Sequence, residues 1–143
     1  MLARGNEGVA GRVKANDYTL GYMEYGYAQR LGLAMAWLQN RAGKYVQPGE
    51  ASGQAAISAS AKQMPESMRL FTPDPPGEES YPIVTFSWLL LYDRYPDAEK
   101  AAALKKFVAW GLTTGQNYSR ELGYIVLPPE VASMSLAALD RIR

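Results

Sequence analysis

The amino-acid sequence predicts an α/β fold, and three features of the 143-residue chain indicate it. The segment IVTFSWLLLY, residues 83–92, is β-branched, aromatic and almost continuously apolar, which is typical of a strand covered on both faces. The segment after it places apolar residues at helical spacing from Leu104 to Gly111. Between the two halves of the chain, residues 63–82 contain five of the nine prolines, which predicts irregular structure.

The first third of the chain is predicted to hold a helix and two extended segments. A helix should begin near Asn6, because Asn is a suitable cap and Glu7 suits the positive end of the helix dipole. The aromatic stretch Tyr18–Tyr25 is predicted to be a strand. Residues 33–40 are predicted to be a second strand or extended segment, closed by the turn RAGK, residues 41–44.

Helices are predicted for most of the remaining chain outside the proline-rich segment. Residues 50–61 should form a helix, and a short strand is expected at residues 68–72. Pro96 is expected to open a further helix, because its fixed backbone suits the first turn. A short helix should then cover residues 114–122, and Pro129 should open a last helix that continues to about Ile142.

Composition excludes several classes of function. Fifteen basic and fourteen acidic residues leave a net charge of +1, so no field is expected that would hold a nucleic acid or an anionic membrane. The chain has no Cys and no His, which excludes a disulfide framework, a thiolate zinc site and a Ser-His-Asp triad. No catalytic residue, metal site or cofactor is therefore predicted. The 143 residues show no signal peptide, and the longest apolar run is too short to span a bilayer.

The segment LGYMEYGYA, residues 20–28, is the first candidate for a ligand site because it holds three tyrosines and one carboxylate. On a strand, Tyr25 and Tyr27 would share one face and Tyr22 would lie on the other. Rings split in this way favour structural packing over stacking on a ligand. Glu24 has no second carboxylate nearby in the sequence, so it gives little support for acid–base catalysis.

The segment GNEGVAG, residues 5–11, is the second candidate. Free N–H groups at the start of a helix attract anions, so Gly5, Asn6, Glu7 and Gly8 are candidate phosphate-binding residues. Their spacing matches neither GxGxxG nor GxxxxGK[ST], the two common phosphate-binding patterns.

Five blocks of sequence carry a resemblance to a known family. They are GNEGVAGRV, LGYMEYGYA, LQNRAGKYVQP, PPGEESYPIVTFSWLLLYDR and ALKKFVAWGLTTGQNYSRELGYIVLPPEV. In this order, over nearly the whole chain, they resemble the periplasmic phosphate-binding protein of bacterial phosphate ABC transporters. The resemblance implies a non-enzymatic solute-binding component of high-affinity phosphate uptake. Its partners would be inorganic phosphate and the membrane subunits of the transporter, and its location would be periplasmic or otherwise extracytoplasmic.

The resemblance also implies that only the C-terminal portion of a two-lobed, clamp-like type II periplasmic-binding-protein fold is present. Residues 1–80 would belong to the second lobe, and residues 81–143 would be the segment that returns to the first lobe. The family's phosphate ligands lie in a TFP-like loop, a GSS-like turn and an RxDGSGT segment, and no position here matches them. The ligands would therefore lie upstream of this chain. The block around residues 20–28 would be a strand and turn, and Tyr22, Glu24, Tyr25 and Tyr81 would be hinge or cleft framework.

A second hypothesis follows from the strands that a partial lobe would leave unpaired. A segment such as residues 83–92 would have open edges, which favour pairing with another chain. The chain would then be an interaction fragment that does not bind phosphate alone and that associates with the missing N-terminal half or with itself. A third hypothesis, a phosphatase-like enzyme, has little support because His, Cys and a carboxylate pair are all absent.

Overall fold

The computed structural model describes residues 2–143, and its regular structure is mostly helical. The elements follow in the order α1 (Gly5–Ala15), α2 (Tyr25–Leu31), β1 (Leu38–Gln39), β2 (Tyr45–Val46), α3 (Glu50–Ala61), α4 (Ala98–Leu112), a 3-10 helix (Thr114–Tyr118) and α5 (Pro129–Leu139). Helices and a small antiparallel sheet thus occur together, which confirms the mixed α/β content.

Helices α3, α4 and α5 form where local sequence predicts them. Helix α3 has the predicted bounds. Helix α4 begins at Ala98, so the prediction that Pro96 lies in its first turn is wrong. Asp97 takes the cap position, because its side chain accepts a hydrogen bond from the Lys100 N–H at 3.0 Å. Helix α5 has Pro129 in its first turn, as predicted, and ends three residues before Ile142.

The turn RAGK closes the segment at residues 33–40, as predicted, although only Leu38–Gln39 of that segment is a strand and its hairpin partner was not predicted. Leu38 pairs with Val46 and Gln39 pairs with Tyr45 in antiparallel register. The Asn40 N–H donates to the Lys44 carbonyl at 2.9 Å, which fixes the turn between the two strands.

The predicted helix over residues 114–122 is only partly formed. The 3-10 helix ends at Tyr118, and turns follow it up to Gly123. Gly123 has a φ of 79°, a left-handed conformation that glycine adopts without strain.

The strand predicted over Tyr18–Tyr25 is wrong. This segment contains no strand: Tyr18 is left-handed with φ 59°, and Tyr25 is already the first residue of α2. Tyr18, Leu20 and Tyr22 are almost fully exposed, at 106, 94 and 95%. A strand is stabilised by packing against cross-strand neighbours, and here no neighbouring strand lies beside the aromatic residues. The packing role predicted for Tyr22 is therefore also wrong, as is the strand and turn that the resemblance implied for this block.

Two further predicted strands do not form. Met68 has a left-handed φ of 57°, which interrupts the strand expected at residues 68–72. Residues 83–92 form no ladder, and Leu89 and Leu90 are 72 and 86% exposed rather than covered on both faces. The reason is that the backbone N–H and C=O groups of a strand need a second strand to bond with. The sheet found within residues 2–143 contains β1 and β2 alone.

Two apolar clusters form the core. The first contains Ile57, Ala61 and Val131, and its half-buried neighbours are Met64, Val84, Phe86, Ile125 and Leu127. The second contains Val108, Leu139 and Ile142, and its half-buried neighbours are Leu91, Tyr95, Ala109 and Leu112. Helix α5 contributes to both clusters, so it connects α3 on one side with α4 on the other. Residues 83–92 also touch both clusters, through Val84 and Phe86 near one end and Leu91 near the other.

The proline-rich segment is irregular, as predicted, but it is tied to the rest of the chain by hydrogen bonds. Asn40, only 4% exposed, donates from its side-chain amide to three carbonyls of this segment. The Glu66 carboxylate and carbonyl both accept hydrogen bonds from the Arg141 guanidinium at 2.9 Å. Side-chain contacts thus replace secondary structure in holding residues 63–82 in place.

Candidate functional site

The predicted anion-binding residues at the start of α1 lie against α2. The Asn6 side-chain oxygen accepts a hydrogen bond from the Glu24 N–H at 3.2 Å. One oxygen of the Glu7 carboxylate accepts a hydrogen bond from the Tyr27 hydroxyl at 3.0 Å. The structure therefore brings together residues from both sequence candidates, GNEGVAG and LGYMEYGYA.

Arg30 extends this group of contacts toward the second half of the chain. Its guanidinium carbon lies 4.7 Å from the centre of the Tyr27 ring, within the range of a cation–π interaction. Its Nη1 donates to the Leu122 carbonyl at 3.1 Å. Glu7, Tyr27, Arg30 and the Leu122 carbonyl thus form a continuous chain of contacts from α1 to the turn before Gly123.

These contacts shift the pKa values of two of the residues, Glu7 and Tyr27. A hydrogen bond from the backbone at Glu7, the Tyr27 hydroxyl and the nearby Arg30 charge together lower the pKa of the Glu7 carboxyl. The hydrogen bond to Glu7 and its negative charge raise the pKa of Tyr27. At neutral pH the start of α1 therefore already holds a carboxylate, whose charge opposes the binding of a second anion at the same N–H groups.

An open groove of about 600 Å³ lies beside this helix start. Its lining includes Arg4, Gly8 and Arg12. Guanidinium groups bind phosphate oxygens well because their donors form a planar fork. Arg4 and Arg12 therefore place positive charge beside Gly8, the candidate residue that belongs to this groove.

The four residues predicted as hinge or cleft framework lie in different surroundings. Tyr22 is 95% exposed, whereas Tyr25 is half-buried at the first position of α2. Glu24 is exposed and contacts Asn6 through its backbone. Tyr81 lies beside α3, where its N–H donates to the Ser52 carbonyl at 3.2 Å and partial burial raises its pKa. Their predicted hinge or cleft role stays a prediction.

Sequence reasoning assigned Tyr27 to packing and missed Arg30 and the glycine pair Gly26–Gly123 as parts of this site. Tyr27 and Arg30 are three residues apart, a spacing that places side chains side by side on a helix. A strand continued through this region would hide that spacing, because side chains three residues apart on a strand point to opposite faces. The contact between Gly26 and Gly123 joins residues far apart in sequence, and no local pattern marks it.

Replacing Tyr27 with Phe is expected to raise the pKa of Glu7 toward its usual value, because the hydroxyl donor is removed. A carboxyl whose pKa is lowered by folding contributes stability above its unfolded pKa and loses it as the pH falls through its folded pKa. The variant should therefore show a smaller loss of stability on acidification. NMR titration of the Glu7 carboxyl measures the shift directly. Tyr45→Phe, at an exposed hairpin tyrosine, is the matched control, and an unchanged Glu7 titration in Tyr27→Phe would contradict the assignment.

Two general observations bear on the class of protein. Among residues 2–143, no group of three or more His, Cys, Asp or Glu side chains is placed to hold a metal ion. None of the helices found in that range is long and apolar enough to cross a membrane.

Sequence comparison finds several phosphate-binding proteins among the relatives of this chain, although no protein-family profile matches it. The phosphate-binding protein PstS of Methanocaldococcus jannaschii is 36% identical over 154 aligned positions, which cover 100% of this chain and 40% of that protein. The PstS of Haemophilus influenzae is 37% identical over 91% of this chain and 39% of its own length. PstS3 of Mycobacterium bovis is 29% identical over 98% of this chain and 39% of its own length.

The class of protein that these relatives define is the phosphate-binding protein. Over its own length the chain is similar to the PstS phosphate-binding proteins, which confirms the resemblance found in its sequence blocks. The chain spans about two fifths of the length of the curated relatives it matches.

Proposed function

We propose that this chain is part of the solute-binding component of high-affinity phosphate uptake. The observation that carries the proposal is its similarity, over 90% or more of its length, to proteins named for phosphate binding. The complete protein would bind inorganic phosphate between the two lobes of a type II, clamp-like fold. It would work outside the cytoplasm and deliver phosphate to the membrane subunits of an ABC transporter.

In such a protein the lobes close around the ligand, and oriented hydrogen-bond donors replace the water around the phosphate charge. The ligands that the family uses have no match in this chain, so its role is to support the lobes and their connection. The first apolar cluster supports this role, because it packs Ile57 and Ala61 from residues 1–80 against Val84, Phe86 and Val131 from residues 81–143. Residues 63–82 would form the crossing between the lobes.

A chimera tests this proposal. The stretch of the Methanocaldococcus jannaschii PstS that aligns with this chain is replaced by the 143 residues, and phosphate and sulfate are titrated into the purified protein by calorimetry. We expect phosphate binding with little response to sulfate. The same relative without its aligned stretch is the control and should not bind. A folded chimera that binds neither anion would contradict the proposal.

The isolated chain provides a second measurement. Because the main ligands would lie elsewhere, we expect phosphate binding at least about a hundredfold weaker than in the chimera, a difference of about 2.7 kcal/mol. Any residual binding should occur at the groove beside Gly8. Arg4→Gln should then remove it, whereas Arg94→Gln, at an exposed arginine outside the groove lining, should not. Tight phosphate-selective binding by the isolated chain would contradict the assignment of the ligands to another part of the protein.

A further inference from the structure

Residues 120–127, in the connection between the 3-10 helix and α5, lie against two helices of the first half of the chain and are called the docking segment. Two of its carbonyls accept hydrogen bonds from side chains of those helices. The Arg30 guanidinium in α2 donates to the Leu122 carbonyl at 3.1 Å, and the Gln54 amide in α3 donates to the Val126 carbonyl at 3.4 Å. The donors lie 92 and 72 residues away in the chain, so these contacts join its two halves.

The docking segment approaches both helices at glycines. A Cβ on Gly123 would lie 2.6 Å from the Cα of Gly26, so the backbones of the segment and of α2 are in direct contact. The Ile125 side chain occupies the space beside Gly53 of α3, where a Cβ would overlap it. Glycine inside a helix lowers helix propensity, and its presence there indicates close packing against a neighbour. Both approaches therefore depend on the absence of a side chain.

The two ends of the docking segment are fixed as well. At its start, the Arg120 Nε lies 2.6 Å from a carboxylate oxygen of Glu50, the first residue of α3. At its end, the Leu127 N–H donates to the side-chain oxygen of Gln116 at 2.9 Å. The ion pair is partly exposed, so it orients the segment more than it stabilises it. The docking segment is thus held along its whole length by contacts made within residues 2–143.

We propose that the docking segment is the joint about which the two lobes of the complete protein close on phosphate. This inference rests on the proposed function, because it takes residues 1–80 and residues 81–143 as parts of different lobes. Contacts near the axis of a hinge motion move least, whereas contacts far from it must open or slide. The backbone contact between Gly26 and Gly123 suits a position near the axis, because no side chain there can rotate to permit sliding. The docking segment stays on α2 and α3 with or without phosphate, and its residues position the lobes without touching the ligand.

A disulfide between the docking segment and α3 tests whether this contact persists. A Cβ at Gly53 would lie 3.2 Å from the Cγ1 of Ile125, so Gly53→Cys combined with Ile125→Cys brings two thiols within bonding range. The 143 residues contain no cysteine of their own. In the chimera described above, we expect the oxidised form to bind phosphate within about threefold of the reduced form. Small-angle X-ray scattering should show the same decrease in radius of gyration on phosphate addition in both forms.

Loss of phosphate binding on oxidation would overturn the inference, since the contact would then have to open when the lobes close. Failure of the two cysteines to form a disulfide would overturn it too, because the docking segment would not lie on α3 in the complete protein.

Gly26→Ala tests whether the position of the docking segment matters for binding. A Cβ at Gly26 would lie 3.0 to 3.3 Å from three backbone atoms of Gly123, so the segment must shift by a few tenths of an ångström. Binding sites tolerate displacements of only about 0.5 Å, so we expect the chimera to bind phosphate about tenfold more weakly. Gly11→Ala is the control, because a Cβ there has no atom within 4 Å. Calorimetry reports the affinity of the folded protein, so lower stability alone would not produce this loss.

The possible failures can be told apart. Unchanged phosphate affinity in folded Gly26→Ala, or loss of binding on oxidation of the cysteine pair, would refute the joint while the proposed function stands. An unmodified chimera that binds no phosphate would refute the proposed function and this inference together.

Discussion

Replacing Asn40 with Asp is expected to destabilise the protein by about 3 kcal/mol, because it leaves several buried polar groups without partners. The side-chain amide of Asn40 donates to the carbonyls of Gly77 at 3.1 Å, Glu78 at 2.9 Å and Ser80 at 3.1 Å. In the variant a carboxylate oxygen would face these three carbonyls, so three attractive contacts would become repulsive. The residue is 4% exposed, which leaves little water to screen that repulsion.

The side-chain carbonyl oxygen of Asn40 also makes hydrogen bonds. A substitution that removes the whole side chain would therefore not isolate the loss of the amide contacts. The carbonyl oxygen accepts hydrogen bonds from the N–H groups of Ala42 and Lys44, both at 3.1 Å. Aspartate retains that acceptor, so the hairpin turn is preserved and the loss arises at the proline-rich segment. The free energy of unfolding in urea measures the effect. Asn117→Asp, at an exposed asparagine of the 3-10 helix, is the matched control, and equal stability of the two variants would contradict the role of Asn40.

Replacing Gly123 with Ala is expected to destabilise the protein by about 2–4 kcal/mol, since it combines backbone strain with a steric clash. Gly123 has a φ of 79°, which a residue with a Cβ adopts only at a cost. A Cβ at this position would also lie 2.6 Å from the Cα of Gly26. Because the contacted atom belongs to the backbone of α2, no side chain can rotate to make room. The helix and the turn would have to separate, which would also lengthen the hydrogen bond from Arg30 to Leu122.

The temperature of thermal unfolding measures this loss of stability. The chain also offers a control glycine at which the same substitution should raise stability. Gly111 lies within α4, and a Cβ there would have no atom within 4 Å. Gly111→Ala should therefore stabilise the protein by up to about 1 kcal/mol through helix propensity alone. A Gly123→Ala variant that unfolds at the temperature of the unmodified protein would show that the turn and α2 are not in tight contact.

The predictions that succeeded depend on neighbours in the sequence. The bounds of α3 and the proline at the start of α5 follow from residues within one turn of each other. Part of the candidate site could be predicted from neighbouring residues in the same way. The helix start lies near the predicted position, but Asn6 does not cap it: Arg4 holds the cap position, and the Asn6 side-chain oxygen accepts from the Glu24 N–H instead.

The predictions that failed concern residues whose state depends on distant partners. The aromatic and β-branched residues of Tyr18–Tyr25 and residues 83–92 suit a strand, but a strand exists only when a second strand supplies its hydrogen bonds. Asn40 was not singled out for the same reason, because its three acceptors lie 37 to 40 residues away in the chain.

The sequence by itself therefore determined helices α1, α3, α4 and α5, the hairpin turn and the resemblance to phosphate-binding proteins, since each is encoded in short-range patterns or in ordered blocks of similarity. Only the tertiary structure showed that Glu7, Tyr27 and Arg30 meet, that Gly26 touches Gly123, and that residues 83–92 form no strand. The physical reason is that helices satisfy their hydrogen bonds within a few residues, whereas strands, buried amides and close backbone contacts require partners from elsewhere in the chain.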